Sequence, residues 1–385
     1  MASTAAAIRG REGPRNRAGH HPRRTHLVKT SASLLLLTFM ALAASAHAEI
    51  YCVADGSILQ LALQASAQSP TANDSIRLEA GTYHSTSPNG FYAAFGNDNT
   101  GNLDISGGWS PGCQIRLPGR RSTIDGELTR PGMRLYGTLF LHGRVRISNL
   151  EFVRGRATGQ QISGGLTIDR GYDIEIESNV FSDNSLENAN TVAGAGLYAV
   201  SEGAISVRNN LFLRNDADSP VSIAAGGAAV YCYGYGNVGR FINNTVYDNT
   251  ADAGASSDVG GVYVGGEPAC GWDVANNSLW GNPGLDLSLG SVSVSVRNND
   301  LQNRGGSENP SASSGNINAS PQFLSTTDFR VKRSSPLVDA GLDAAGGGVT
   351  GGSLDGGPRL VGPHVDIGAY ELDRLFVDGF DPGST

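Results

Sequence analysis

Tyrosines and carboxylates recur in the middle of the chain in a pattern that could contact sugars. Tyrosine rings pack against sugar rings, and carboxylates accept hydrogen bonds from sugar hydroxyls. The tyrosines are Tyr198, Tyr231, Tyr233 and Tyr263, and the carboxylates are Asp169, Glu202 and Glu267. On one shared face these residues would form a glycan-binding platform, although tyrosines also suit β-strands without binding anything.

Some of these carboxylates could also carry out catalysis. Glu202 together with Asp169 or Glu267 has the residue types of an acid and base pair that cleaves a glycosidic bond. The sequence does not fix the distance between these carboxylates, so binding and catalysis both remain open.

A second acidic series lies three residues after a recurring asparagine. It consists of Glu187, Asp218 and Asp252. Oxygen-rich loops of this kind suit calcium. The alternative interpretation is a solvated loop whose acidic side chains face water. We predict no other cofactor, and calcium remains a candidate at these three residues.

A repeated phrase indicates how these residues are positioned. Arg208-Asn209-Asn210-Leu211-Phe212-Leu213-Arg214-Asn215 returns with changes along the chain. Its second position falls, in steps of 30, 31, 34, 33 and 22 residues, at Asn149, Asn179, Asn210, Asn244, Asn277 and Asn299. A period in this range indicates a stack of repeated coils. In coils stacked about 4.8 Å apart, these asparagines would form a ladder of amide hydrogen bonds.

A second phrase, in step with the first, predicts which side chains face outward. Short apolar strands follow a pair of small residues, of which the second is Gly165, Gly196, Gly227 or Gly261. Residues one and three places after this glycine are apolar and should point into a core. Residues two, four and six places after it should point outward, and they include the tyrosines and carboxylates named first. No helical periodicity of useful length separates the strands, which excludes helical repeats.

The end of the chain is similar to a known group. The motifs are Ser-Pro-Leu-Val-Asp-Ala-Gly at 335–341, Asp-Gly-Gly-Pro-Arg at 355–359 and Val-Asp-Ile-Gly-Ala-Tyr-Glu at 365–371. They resemble bacterial surface proteins called choice-of-anchor Q domain proteins. Residues 50–372 resemble the superfamily that includes pectate lyases and polygalacturonases. The resemblance implies an all-β, right-handed parallel β-helix, and the choice-of-anchor group has no single activity.

The enzymes of that superfamily carry motifs that this chain lacks. Polygalacturonase-like sites use Asp-Asp, Gly-His-Gly and Arg-Ile-Lys strings, and none occurs here. Residues 116–121 match the Arg-x-Pro-x-x-Arg string of pectate lyases, but without its surrounding motifs. We therefore predict a non-catalytic surface protein with a carbohydrate-contacting or adhesion role. The alternatives are a polysaccharide lyase or glycoside hydrolase that uses the tyrosine and carboxylate face, and a purely structural surface module.

Residues 1–48 have the features of a signal peptide. Seven basic residues precede the apolar run 34–44, and Ala46-His47-Ala48 predicts cleavage before Glu49. The run is too short for a transmembrane helix, which needs about 20 residues. Removal of seven basic residues and one acidic residue changes the formal charge from −8 to −14. We expect a chain secreted by a bacterium or held at its surface, and no nucleic-acid partner.

The four cysteines, Cys52, Cys113, Cys232 and Cys270, have no zinc-type spacing. Export permits disulfides, and three pairings are open. We favour Cys232–Cys270, because both residues follow glycine-led strands of adjacent repeats, and Cys52–Cys113, which would tie an N-terminal cap to an early coil.

The predicted organisation has three parts. A helix at 57–68, capped by Asp55 or Ser57, would cover the first coil of a β-helix that spans 49–341. Residues 342–385 form a glycine-rich tail, and its apolar piece at 375–380 could fold back on the last coil or serve a sorting system.

Overall fold

The computed structural model describes residues 48–372, apart from 97, 138–142, 189–192, 219–223, 235, 253–257, 267–269, 291–292, 308, 348 and 350. Residues 1–47 of the predicted signal peptide lie outside the described residues, as do Glu267 and the apolar piece at 375–380.

Short β-strands make up most of the described chain. The first part contains β1 (Ile50–Val53), α1 (Gly56–Ala67), β2 (Asp74–Glu79), β3 (Thr82–Tyr83), β4 (Phe91–Phe95), β5 (Leu103–Trp109), β6 (Ser122–Asp125), β7 (Met133–Gly137), β8 (Arg144–Ser148), β9 (Leu150–Val153) and β10 (Arg156–Thr158). The central part contains β11 (Leu166–Gly171), β12 (Asp173–Glu177), β13 (Val180–Ser182), β14 (Ser185–Glu187), β15 (Ala193–Gly194), β16 (Leu197–Ser201), β17 (Ile205–Arg208), β18 (Leu211–Leu213), β19 (Asp216–Asp218), β20 (Ala224–Ala225), β21 (Ala228–Cys232), β22 (Val238–Ile242), β23 (Thr245–Tyr247) and β24 (Thr250–Asp252). The last part contains β25 (Val262–Gly266), β26 (Gly271–Ala275), β27 (Ser278–Trp280), β28 (Leu287–Gly290), β29 (Val294–Arg297), β30 (Asp300–Leu301), β31 (Arg304–Gly306) and β32 (Ala312–Ser314). Single 3-10 turns lie at Pro111–Cys113 and Ala345–Gly347.

Three long sheets run along the stack, and neighbouring strands within them are parallel. Sheet A is β1-β2-β5-β8-β12-β17-β22-β26-β29-β32, sheet B is β3-β6-β9-β13-β18-β23-β27-β30, and sheet C is β4-β7-β11-β16-β21-β25-β28-β31. The short sheet β10-β14-β19-β24 and the pair β15-β20 lie in the connections from sheet B to sheet C. The predicted all-β, right-handed parallel β-helix is confirmed.

The predicted N-terminal helix is also confirmed. Helix α1 packs Leu59 and Leu63 into the core, and the Asp55 side chain accepts a hydrogen bond from the Ile58 backbone N–H at 3.0 Å. This contact satisfies one of the free N–H groups at the start of the helix. No helix in the described part of the chain is long and apolar enough to cross a membrane.

The core of the stack repeats from coil to coil. Phe152, Phe181 and Phe212 lie at the same inner position of sheet B in consecutive coils. Their ring centroids are 5.2 and 4.8 Å apart, and the rings are within 6° of parallel. Because each coil places the same residue type over the last one, large side chains fill the interior without gaps.

The predicted asparagine ladder forms at the corner between sheets A and B. Each side-chain oxygen accepts hydrogen bonds of 2.8–3.2 Å from the backbone N–H and the Nδ2 of the previous asparagine. The members are Asn179, Asn210, Asn244, Asn277, Asn299 and Asn316. Asn316 was not part of the predicted ladder.

The prediction that Asn149 belongs to the ladder is wrong. Leu150 occupies the ladder position of its coil, and its backbone N–H donates to Asn179 Oδ1 across a step of 29 residues. Asn149 stands one place earlier, in the bend, with a positive φ like Ser178 and Asn209. Asparagine tolerates this left-handed conformation, so the first residue of the phrase makes the bend and the second makes the ladder.

A second ladder lies at the other end of sheet B. It consists of the recurring asparagines that precede the acidic series, and the repeat had not predicted it. Asn184, Asn215, Asn249 and Asn282 bond to one another in the same way. The ladder ends on Asp286, whose fully buried carboxylate accepts from Asn282 Nδ2 at 2.9 Å. Sheet B is therefore held at both of its corners by buried amides.

Both predicted disulfides form. Cys52 in β1 pairs with Cys113, and Cys232 at the end of β21 pairs with Cys270, just before β26. The first bond ties the outermost N-terminal strand to the connection after β5, and the second joins neighbouring coils.

Residues 323–371 fold back over the outer face of sheet B, and we call this segment the C-terminal clasp. Its Leu354 and Ala369 pack against Leu211 and Leu213 of β18. Toward the N-terminal end of the stack, the Arg121 side chain donates a hydrogen bond to the Leu354 carbonyl. The predicted boundary between residues 341 and 342 falls inside the clasp, and the glycine-rich stretch after it lies against the solenoid wall.

The C-terminal motif builds a buried ionic cluster within the clasp. Arg359 is buried and donates to the carbonyl oxygens of Asp366 at 2.6 Å and Tyr370 at 3.2 Å. The Glu371 carboxylate accepts from the backbone N–H groups of Val361 and Asp366. Burial raises the pKa of Glu371 to about 7, and the nearby Asp366 carboxylate adds to this effect.

Replacement of Asn244 by alanine should destabilise the protein by about 3 kcal/mol, because the buried Asn210 backbone N–H loses its acceptor, and Asn210 Nδ2 and Asn277 Oδ1 each lose one of their bonds. Asn303 is exposed, and it contacts the end of the second ladder through its backbone N–H, which donates to Asp286 Oδ2 at 3.0 Å. Its replacement by alanine keeps this backbone bond and should cost less than about 0.5 kcal/mol. Denaturant unfolding of both variants measures the difference, and equal effects would contradict the role of the ladder.

Stability should fall by about 2 kcal/mol between pH 5 and pH 8 through Glu371 alone. The folded chain holds this proton up to about pH 7, whereas an unfolded glutamate releases it near pH 4.3. The contribution is fully present below the unfolded pKa and is lost as the pH rises through the folded pKa. Melting curves of the wild type and Glu371→Gln across this range check it, and a variant with an unchanged pH profile would count against it.

Candidate functional site

The outer face of sheet C carries the predicted tyrosines, together with residues of earlier coils in the same register. The strand register puts Tyr92, Arg134, Thr167 and Tyr198 in one row across β4, β7, β11 and β16. Neighbouring parallel strands are about 4.8 Å apart, so the row presents one side chain per coil at a constant spacing.

The predicted tyrosines form a packed cluster. Tyr231 and Tyr263 are only 8% and 9% exposed, and their ring centroids are 5.3 Å apart. Tyr198 and Tyr233 are partly buried against the same cluster. The rings lie along the wall because Gly265 and Gly290 leave room, and a side chain at either position would collide with the Tyr263 ring.

Burial also sets the protonation state of the cluster. It raises the pKa of Tyr198, Tyr231 and Tyr263, so these residues keep neutral hydroxyl groups. For Tyr198, the negative charge of Asp169 raises the pKa further. None of the three is therefore suited to act as a base near neutral pH.

A groove opens further along the same wall, toward the N-terminal end of the stack. Its volume is about 360 Å³. Tyr92, Arg134 and Thr167 form the floor, and connecting loops form the rims. The complete lining is Asn89, Tyr92, Pro131, Arg134, Gln161, Ile162, Ser163 and Thr167. Gln161 Nε2 lies 3.4 Å from Asn89 Oδ1, which links the loop before β11 to the loop before β4.

The groove presents both polar and aromatic groups. Tyr92 is 38% exposed, more than the partly buried or buried tyrosines of the cluster. Arg134 lies 3.7 Å from the Asp169 carboxylate and over the ring of Tyr136, at 5.3 Å. Burial raises the pKa of Asp169, although Arg134 and Arg170 oppose the shift. The floor therefore presents the Arg134 guanidinium, partly neutralised by Asp169, beside the exposed ring of Tyr92.

The groove was not predicted, because the coils that contain β4 and β7 lack the repeated asparagine phrase. Gly90 and Gly132 each precede a strand with alternating apolar residues, as Gly165 does before β11. This single-glycine signal places Tyr92 and Arg134 in register with Thr167.

The predicted catalytic carboxylates occupy different places. Asp169 on β11 stands beside the groove, paired with Arg134. Glu202 follows the last residue of β16, and its backbone N–H donates to Gly171 O at 2.9 Å. No carboxylate occurs among the described residues that line the groove.

The predicted calcium residues stack in register but do not converge. Glu187, Asp218 and Asp252 pair along β14, β19 and β24. Two hydrogen bonds from Arg156, of 2.9 and 2.8 Å, hold Glu187 and lower the pKa of its carboxyl. Within the described ranges, the one group of three ligand atoms that meet within 4.8 Å comes from Cys52, Glu79 and Cys113. Both of these cysteines are in a disulfide.

Comparison with known proteins found no match among family models, curated proteins or solved structures. The interpretation of the groove therefore rests on its geometry.

Millimolar calcium should not change the melting temperature of the wild type. The Asp218→Asn/Asp252→Asn double variant should show the same lack of response. Arg156 already neutralises Glu187, and two separated carboxylates bind calcium weakly. Thermal melts with calcium and with chelator measure this. A rise of several degrees in the wild type alone would restore the calcium interpretation.

Proposed function

We propose that this chain is exported by a bacterium, either secreted or held at the cell surface, and binds a short glycan in the groove without cleaving it. The groove on the rigid wall of sheet C carries this proposal, because its lining combines an open tyrosine ring with amide, hydroxyl and guanidinium groups. Sugars are recognised by this combination of ring packing and directed hydrogen bonds.

The charge distribution favours a neutral glycan. The chain without its predicted leader carries a formal charge of −14, which repels polyanions over distance. The one cation that lines the groove among the described residues, Arg134, already faces Asp169. A neutral sugar can use the remaining donors of the guanidinium without bringing a second negative charge.

Three features support export to the cell surface. Two disulfides are typical of proteins that fold in an oxidising compartment. The predicted signal peptide and the resemblance of residues 335–371 to choice-of-anchor Q domain proteins support a place at the bacterial surface.

A hydrolase or lyase that acts in the same groove is the second candidate, and Asp169 favours it. Asp169 is partly buried, and burial raises the pKa of its carboxyl, which favours the protonated form that a general acid needs. We rank binding first because the described lining contains no carboxylate, and Asp169 stands outside it, paired with Arg134.

Replacement of Tyr92 by alanine should weaken glycan binding about tenfold, because it removes the ring that the sugar packs on. Tyr172 is 40% exposed and does not line the groove, so Tyr172→Ala is a matched control. A glycan array identifies the ligand, and titration calorimetry then compares the variants. Tyr231 and Tyr263 are unsuitable, because their truncation would open a cavity.

Three outcomes separate the candidates. Equal losses in Tyr92→Ala and Tyr172→Ala would contradict the groove as the binding site. Release of shortened or unsaturated sugar by the wild type, but not by Asp169→Asn, would favour the enzyme. Absence of binding across the array would leave a structural module.

A further inference from the structure

One buried carboxylate at the N-terminal end of the stack has a hydrogen-bond donor for only one of its two oxygens. Asp74 begins β2 and is 3% exposed. Its Oδ1 accepts a hydrogen bond from the backbone N–H of Glu49 at 3.2 Å. Its Oδ2 is buried and has no hydrogen-bond partner within the described chain. A buried carboxylate oxygen without a donor is costly, so this site lacks a donor or a positive charge.

Glu49 is the residue that the predicted cleavage would turn into the N-terminus. Ile50 pairs with Ser75 in sheet A, which places Glu49 directly opposite Asp74. The Glu49 carbonyl accepts from the Ser75 N–H at 2.8 Å, so the backbone at this position is fixed. Both Ala48 and Glu49 are exposed, which leaves the bond between them open to a protease.

Hydrolysis of the Ala48–Glu49 bond would supply what the site lacks. Water adds across the peptide bond, Ala48 leaves with a carboxylate, and the freed Glu49 nitrogen takes up a proton. The single N–H donor becomes an ammonium with three donors and a positive charge, at a nitrogen that already lies 3.2 Å from Asp74 Oδ1.

We propose that export processing between Ala48 and Glu49 creates an ion pair between the new α-ammonium and the buried Asp74 carboxylate. This pair satisfies both carboxylate oxygens and locks β1 onto the edge of sheet A. Because β1 also carries Cys52 of the first disulfide, processing secures the strand at two points.

The groups around the pair are few. They are the Glu49 carboxylate, just before β1, and Tyr51 on β1, whose pKa is raised mainly by burial and further by Glu49 and Asp74. On the next strand of sheet A, Asp104 pairs in register with Ser75. Asp104 is already paired with Arg146 at 3.1 Å, and a terminal ammonium beside the Glu49 and Asp74 carboxylates would improve the local charge balance.

The test compares full chains that differ only at the N-terminus. The first chain begins at Glu49, and it is released from a fusion protein by a site-specific protease that cuts directly before this residue. The others retain Ala48 or carry N-acetyl-Glu49, and each is made with Asp74 and with Asp74→Asn. Intact mass confirms each terminus and detects any cyclisation of Glu49 by its loss of water.

At pH 7 the chain with free Glu49 should melt on the order of 2–4 °C above the acetylated and Ala48-retaining chains. Pairing raises the pKa of the α-ammonium above its ordinary value of about 7.7–8.0. The advantage is therefore fully present below that value and is lost as the pH rises through the raised pKa. In Asp74→Asn the advantage should vanish.

Three results would overturn the proposal. The first is an equal melting temperature of the three termini at pH 7 in the Asp74 background. The second is an advantage that survives Asp74→Asn. The third is N-terminal sequencing of the exported protein that finds a first residue other than Glu49.

Discussion

Buried amides impose the strictest requirement on this fold. An asparagine in the core has no water to bond with, so its donors and acceptors must be met by protein groups. In this chain the equivalent asparagine of the next coil meets them, as between Asn210 and Asn244. The two ladders are always five residues apart, from Asn179 and Asn184 to Asn277 and Asn282. Sheet B therefore keeps one length in these coils, and changes in coil length fall elsewhere.

The ladders also explain which parts of the structure the sequence could predict. Polar residues that repeat in an apolar setting have few structural interpretations, so the coils, their parallel pairing and the outward direction of Tyr231 could be inferred. The position of Asn149 could not, because a single asparagine before Leu150 fits either the bend or the ladder. The clasp follows no period, and its contacts with Leu211 and Leu213 join residues far apart in sequence. Periodicity predicts where a side chain points, but it does not reveal what covers that side chain.

The outer wall of sheet C shows this limit most clearly. The same alternation that places Tyr92 and Tyr263 on one face leaves the first 38% exposed and the second 9% exposed. Gly265 on the same strand and Gly290 on the next strand let the Tyr263 ring lie flat, whereas loops from three coils rise around Tyr92. The regular strands thus supply a rigid floor, and the irregular connections decide where a cavity forms on it. This division places recognition on the less repetitive part of the chain.

The clasp changes how this protein must reach its final state. Coil stacking joins residues about one repeat apart, and such a chain can fold progressively from any coil. The contact between Arg121 and Leu354 spans 233 residues, and the contact between Thr245 and Ala369 spans 124. Closing such long loops is slow, and the segment that closes them follows in the chain all the coils that it covers. Sheet B therefore keeps an apolar outer face open until residues 323–371 dock on it, and the clasp is a late step of folding.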